Sequence, residues 1–266
     1  MMRHLGLLLT FALFVVACVS PQSDGVAASP EAAQRLLKLR GYNFTEHDFF
    51  EACAARDLPA VNAFLSGGIN PNARQPTNSR TALIGAAARG DREVVVALLQ
   101  GGSDVNAKDI AGYTALFHAL EARYDDVADV LIDQKGLDLS ARGKNDVTAL
   151  MSYVWRDRIE GVKKLLSLGS DVNAVDTDGD TALHGAAQTG NASVVRLLLE
   201  RGAQPNVKNK LGGTPLMWAA VYGNEEAAKM LLSHGADPKL KDVDGITALE
   251  WAKRNNRNGI VRLLGR

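Results

Sequence analysis

The chemistry open to a chain of 266 residues is set first by its thiols, imidazoles and close-set carboxylates. Two cysteines occur, Cys18 and Cys53, with five histidines scattered along the sequence. Neither type shows the spacing that a zinc site or a disulfide framework needs. The one dense acidic run is Asp176-Thr177-Asp178-Gly179-Asp180. It starts like a calcium loop, which needs a glycine at its sixth position and a carboxylate at its twelfth. Those positions hold Thr181 and Ala187, so the run is read as turn residues. The sequence contains no Gly-x-Ser-x-Gly elbow, phosphate loop or His-Glu-x-x-His helix. The expectation is therefore no catalytic residue, no metal, no cofactor and no small-molecule substrate. What remains is binding chemistry: three tryptophans with tyrosines and arginines near them, the residue types that anchor protein interfaces.

Composition narrows the class. With 46% hydrophobic and 23% charged residues, the chain is neither collagen-like nor wholly disordered. Thirty basic residues balance thirty acidic ones, which argues against nucleic-acid binding by phosphate neutralisation. Aromatics are only 6%, so a core has to be built from small and aliphatic side chains.

The N-terminus is an address. Arg3 and His4 precede an apolar run from Leu5 to Val16, too short for the roughly 20 residues of a stable span. The run closes on Val15-Val16-Ala17-Cys18, which resembles the lipobox of bacterial lipoproteins. The resemblance implies cleavage before Cys18, acylation of its thiol and amine, and a lipid anchor to the membrane at that residue. Val19, not Asp, follows the cysteine, so the resemblance favours the periplasmic face of the outer membrane, with a soluble periplasmic protein as the alternative. Residues 1–17 are thus expected to be a signal peptide and 18–30 a flexible tether, reaching at most roughly 45 Å.

A repeat organises the rest. Thr81, Thr114, Thr148, Thr181, Thr214 and Thr247 are spaced by 33, 34, 33, 33 and 33 residues. Ala or Pro and then Leu follow each, as in Thr181-Ala182-Leu183-His184 and Thr214-Pro215-Leu216. A small pair such as Ala186-Ala187, a glycine such as Gly190, a Leu-Leu such as Leu198-Leu199 and a polar turn such as Gly202-Ala203-Gln204-Pro205-Asn206 complete each unit. This closely resembles the ankyrin repeat. The threonine serves as helix N-cap, and Pro215 suits the first helical position. The glycines suit positions with φ > 0. One unit cannot bury its apolar face alone, so stacked units share a continuous core.

The resemblance implies an all-α repeat solenoid of helix-turn-helix units joined by β-turns, stacked in a curved array. An extra N-terminal capping helix is expected over 31–46, with Leu36, Leu37 and Leu39 available to cover the open end. The repeat domain is expected over 47–266, with units at 47–72, 78–106, 111–140, 145–173, 178–206, 211–239 and 244–266. Repeats three and four depart from the pattern. Arg123 and Asp157 replace the mid-repeat glycine, Tyr153 replaces a core alanine, and Lys135 marks a one-residue insertion. Cys53 falls on the small pair and is expected to be a buried thiol. His184 is expected to bond the capping threonine, as the repeat-pattern histidine does in this family.

Proteins of this family generally bind other proteins through a concave face of turn tips and first helices. Carried over by register, that face holds Tyr113, His118, Trp155, Arg156, Trp218 and Tyr222, the expected partner-binding residues. Trp251 falls there too, but suits a role in capping the core. The expected function is a non-enzymatic scaffold for a periplasmic protein partner of unknown identity. Related bacterial proteins suggest support of a stress-defence enzyme, or an immunity protein neutralising an envelope-targeted toxin. An envelope hydrolase is the remote alternative.

Overall fold

The computed structural model describes residues 29–265, so the signal peptide, Cys18 and most of the tether lie outside the described residues. The described chain is helical throughout and has no strand. A first helix, α1 (Pro30–Leu39), is followed by seven helix pairs. Repeat one is α2 (Glu46–Ala54) and α3 (Leu58–Ser66); repeat two is α4 (Ala82–Arg89) and α5 (Arg92–Gln100). Repeat three is α6 (Ala115–Ala122) and α7 (Asp125–Ile132), and repeat four is α8 (Ala149–Trp155) and α9 (Ile159–Ser167). Then come α10 (Ala182–Thr189) with α11 (Ala192–Glu200), α12 (Pro215–Tyr222) with α13 (Glu225–Ser233), and α14 (Ala248–Arg254) with α15 (Asn258–Leu264). First helices stack on first helices, and second helices on second.

Local chemistry sets these boundaries. The Oγ1 atoms of Thr81, Thr148, Thr214 and Thr247 each accept the N–H three residues on. Such a cap contributes about 1 kcal/mol. Between paired helices the chain turns through a left-handed residue. Gly90, Gly190 and Gly223 fill that place in three repeats, and Arg56, Arg123, Asp157 and Asn256 take it with φ of 55–63° in the others. The buried alanines and leucines of each pair form one continuous core from Ala33 to Ile260. A cluster of rings fills its N-terminal end, where Phe64 meets Tyr42, Phe44 and Phe49. On α1 only Ala33 and Leu37 are buried, one helical turn apart and packed towards α3. Leu36 and Leu39 face outward, Leu39 at 86% exposure, so one leucine rather than three covers that end.

Three kinds of hydrogen bond tie neighbouring repeats. Turn tips form a ladder: Ile110 N–H donates to Asn78 O, Thr177 to Asn145, Lys210 to Asp178 and Val243 to Leu211, all at 2.9–3.0 Å. An asparagine after the second helix bridges to the same turn of the next unit. Asn106 donates to Gly136 O and accepts from Asp138 N–H, and Asn72, Asn173 and Asn206 do the equivalent. The insertion at Lys135 is absorbed before Gly136, which keeps its place opposite Asn106. A third set runs from the start of a second helix to the preceding unit, as where Asn224 Nδ2 donates to Ala187 O and Gln188 O.

Between repeats three and four the first two sets are missing among the described residues. No tip bond joins Lys144 to Ala111, and Ser140 stands where asparagine would bridge. Ser140 Oγ instead bonds Asp138 of its own turn. Helix α6 also touches α8 less than it touches α4. Charge spans the gap: Arg156 and Arg158 reach Asp125, Arg158 reaches Asp129, and Lys164 reaches Asp133, at 2.6–3.2 Å. Tyr153 is buried where other repeats have alanine, and its hydroxyl donates to Asp129 at 2.9 Å. Gly161 replaces the Val, Ala or Ile of other repeats and makes the room, since a Cβ there would collide with the Tyr153 ring.

Candidate protein-binding groove

Turn tips and first helices form the face on which the tryptophans lie. Four tips are fixed in the same way, by an Asp or Asn side chain that accepts two N–H groups of its own turn. These are Asp109, Asp176, Asn209 and Asp242. In repeat four the position is Gly143, because the Phe117 ring occupies the space a side chain would need.

The structure brings Trp155, Trp218 and Tyr222 together. Trp155 ends α8, is 39% exposed and lies against Gly185 of α10. Trp218 and Tyr222, one turn apart on α12, stack with ring centroids 5.9 Å apart and planes 3° from parallel. Gln188 Nε2 donates to the Tyr222 hydroxyl at 3.0 Å. Three cavities share these walls. One of about 270 Å³ lies between Trp155, Trp218, Gln188 and the acidic tip of Asp176, Asp178 and Asp180. One of about 300 Å³ is lined by Leu211, Met217, Trp218, Val221, Tyr222 and Trp251. One of about 370 Å³ lies between Trp155, Gln188, Thr189 and Tyr222. Together they make a groove across repeats four to seven.

Tyr113 and His118 sit apart from it, in repeat three, and pack edge to face at 6.0 Å. His118 is engaged inward: its Nε2 meets Asp109 Oδ2 at 2.8 Å. Burial raises the Asp109 carboxyl, but hydrogen bonds from His118 and from the Tyr113 and Ala111 N–H groups outweigh it and hold the group below its usual value. Arg156 is likewise engaged, with Asp125, and its side chain is only 16% exposed. Trp251 is fastened at its edge, its Nε1 donating to Asp242 Oδ2 at 2.8 Å while Arg254 lies over its ring.

Residues with reactive side chains are locked into the frame. Burial pushes the Cys53 thiol up to about 12, so it stays protonated. Burial pushes the His184 imidazole down to about 4, so it is neutral near pH 7. Its Nδ1 accepts from the Thr181 N–H and Oγ1–H, and its Nε2–H donates to Gly213 O; this tautomer is assigned from the bonding pattern. Asp176 holds its turn, and no group of three metal-ligating side chains occurs among the described residues.

Two features of the groove escape sequence register. Leu211, at a turn tip, is 70% exposed and walls the second cavity. Asp178 and Asp180 face the first cavity although Asp176 serves the turn. Asp176 serves both turn and groove, and the sequence alone shows only the run.

Known proteins agree with this architecture. The family model for ankyrin repeats (three copies) matches residues 49–143 and 150–242. No curated protein matches the sequence. Among solved structures, an ankyrin repeat domain from Acinetobacter baumannii AYE is 31% identical, with a TM-score of 0.61, 68% of this chain covered and 95% of that one. The ankyrin repeat domain of Bcl-3, described as a unique member of the IkappaB protein family, is 32% identical, with a TM-score of 0.64, 80% of this chain covered and 97% of that one. The period, the capped helix pairs and these matches say one thing: this chain belongs to the ankyrin repeat family, whose fold serves as a protein-binding scaffold.

Proposed function

We propose that the chain is a non-enzymatic scaffold, anchored through acylated Cys18 to the periplasmic face of a bacterial outer membrane. It binds a periplasmic protein through the groove of repeats four to seven. The observation that carries this reading is the clustering of Trp155, Trp218 and Tyr222 on one solvent-facing groove. Trp155 and Tyr222 are 39% and 43% exposed, and large rings left half in water on a folded surface mark an interaction site. The anchor rests on Val15-Val16-Ala17-Cys18 and on the small, proline-punctuated stretch from Ser20 to Pro30. A link of this length keeps the groove near the membrane. The scaffold stabilises or positions its partner, as support of a stress-defence enzyme would require.

Capture from detergent-solubilised envelope tests the reading. The wild-type chain is expected to retain a discrete protein, and Trp155→Ala with Tyr222→Ala to lose it without loss of helicity. Undiminished capture by the double variant overturns the groove. An abundant housekeeping enzyme as the captured protein fits the supporting role, and a delivered toxin overturns that role in favour of immunity. Metabolic labelling with palmitate is expected to mark the wild-type chain and not Cys18→Ala. An unlabelled wild-type chain overturns the anchor.

A further inference from the structure

The cavity between repeats four and six joins two unlike walls. On one side stand the indoles of Trp155 and Trp218; on the other stand Asp176, Asp178 and Asp180. The three carboxylates are differently engaged. Asp176 Oδ1 accepts the Asp178 and Asp180 N–H groups, and Asp180 Oδ1 accepts from Asn209 Nδ2 at 2.9 Å. The Asp178 carboxylate has no hydrogen-bond or ion-pair partner among the described residues, and it is exposed. Among the described residues, no lysine or arginine lies within ion-pair distance of any of the three. The imidazole of His184 lies 3.9 Å from Asp180 and is neutral near pH 7.

The turn-holding position of Asp176 is handled differently in other repeats. Asp109 meets both His118 and Arg80, at 2.8 and 3.4 Å. Asp242 accepts from Trp251, and the nearby Arg254 helps to hold it below its usual value. Among the described residues lining these cavities, the aspartates of the middle tip are the ones without a cation beside them. Burial, together with Asp176 and Asp178, raises the Asp180 carboxyl, although Asn209 opposes this. A positive charge entering the cavity would relieve that strain. Tryptophan faces are the best aromatic partners for a cation, and a guanidinium both stacks on an indole and bonds a carboxylate. The volume of about 270 Å³ is far more than a single water's share of about 30 Å³. The adjoining cavity is apolar, walled by Leu211, Met217, Val221 and Trp251.

We propose that the groove receives a basic side chain of its protein partner, an arginine or lysine held between Trp155 and Trp218 and facing Asp178 and Asp180, with an apolar neighbour seated against Leu211, Met217 and Trp251. The proposal rests on the groove reading above and adds the chemistry of the partner.

Phage-displayed random heptapeptides, selected on the full chain in mild detergent, test it. Enrichment of a basic residue beside an apolar one is expected. The selected peptide, made synthetically, should quench the tryptophan fluorescence. Replacing its arginine or lysine with citrulline or norleucine should weaken binding about tenfold. Asp178→Asn should weaken the parent peptide and leave the neutral analogue unchanged, and raising NaCl should have the same selective effect. Peptides with no basic position, or a parent peptide indifferent to Asp178→Asn, overturn the partner chemistry while leaving the groove intact. Peptides whose binding ignores Trp155→Ala and Tyr222→Ala overturn the groove itself. A selection that enriches nothing overturns the proposal.

Discussion

Two junctions of this array solve the same packing problem with opposite chemistry. Repeats five and six are joined by hydrogen bonds, with no ion pair among the described residues: Lys210 to Asp178 at the tips, Asn206 to Gly235 and Asp237, Asn209 to Asp180, Asn224 to Ala187 and Gln188, and His184 to Gly213. Repeats three and four lack the tip bond and the asparagine bridge. They are joined by Asp125, Asp129 and Asp133 against Arg156, Arg158 and Lys164. A small cleft of about 170 Å³ opens there between Phe117, Lys144 and Arg156. Short neutral bonds fix register and are indifferent to salt, whereas half-exposed ion pairs attract over a range and are screened. In an array whose stability is a sum over neighbours, one charged junction divides the molecule into two coupled blocks.

The sharpest way to break the comparison is to undo the middle's private packing. Tyr153→Ala leaves a hole facing Gly161 and is expected to cost about 3–5 kcal/mol in urea unfolding. Gly161→Val alone should also destabilise, by overpacking against the ring. The double variant recreates the Ala186–Val194 arrangement of repeat five and should recover most of the loss. If it does not, the Tyr153–Gly161 exchange is not what holds repeat four together.

Acid should act on the strong junction through His184. Its folded pKa lies near 4, below the roughly 6.5 of the unfolded chain, so between those values the unfolded state binds more protons. Stability is then fully present above about pH 6.5 and falls by up to about 1.4 kcal/mol per unit towards pH 4. His184→Met, the residue type at Met151 and Met217, should flatten that part of the profile. An unchanged slope would remove His184 from the account.

Exchanging one side chain between the junctions comes next. Asn206→Ser should cost about 1–2 kcal/mol, for two lost bonds, and Ser140→Asn should gain about 1 kcal/mol. No gain from the second would mean that the geometry, and not the residue, excludes the bridge. The smallest effect is expected at the ion pairs. Asp125→Asn should cost about 1 kcal/mol or less at low salt and nothing measurable in 1 M NaCl. In that salt the wild-type urea transition should broaden or split, as hydrogen exchange resolved by repeat would show.

The fold was legible because its signal is periodic. Capping threonines at a fixed spacing, small pairs and Leu-Leu pairs repeat often enough to overrule any single exception. The exceptions themselves were visible at Arg123, Asp157, Tyr153 and Lys135, but their meaning was not. Tyr153 is accommodated by the absence of a side chain at Gly161, a contact between two helices that no one-dimensional pattern encodes. The groove shows the same limit. Register placed Trp155, Trp218 and Tyr222 on one face, and they meet there. It also named His118 and Arg156, which are turned to Asp109 and Asp125, because a polar side chain's direction depends on what the neighbouring element offers it.

The interrupted tip ladder bears on how the chain carries force. A load drawn along the stack axis passes through tip hydrogen bonds from repeat two to three and from repeat four through to seven, but at Ala111 and Lys144 it falls to helix packing and side-chain charge. Strain therefore concentrates at that step, and the molecule yields there as a joint between two stiff arms instead of stretching evenly.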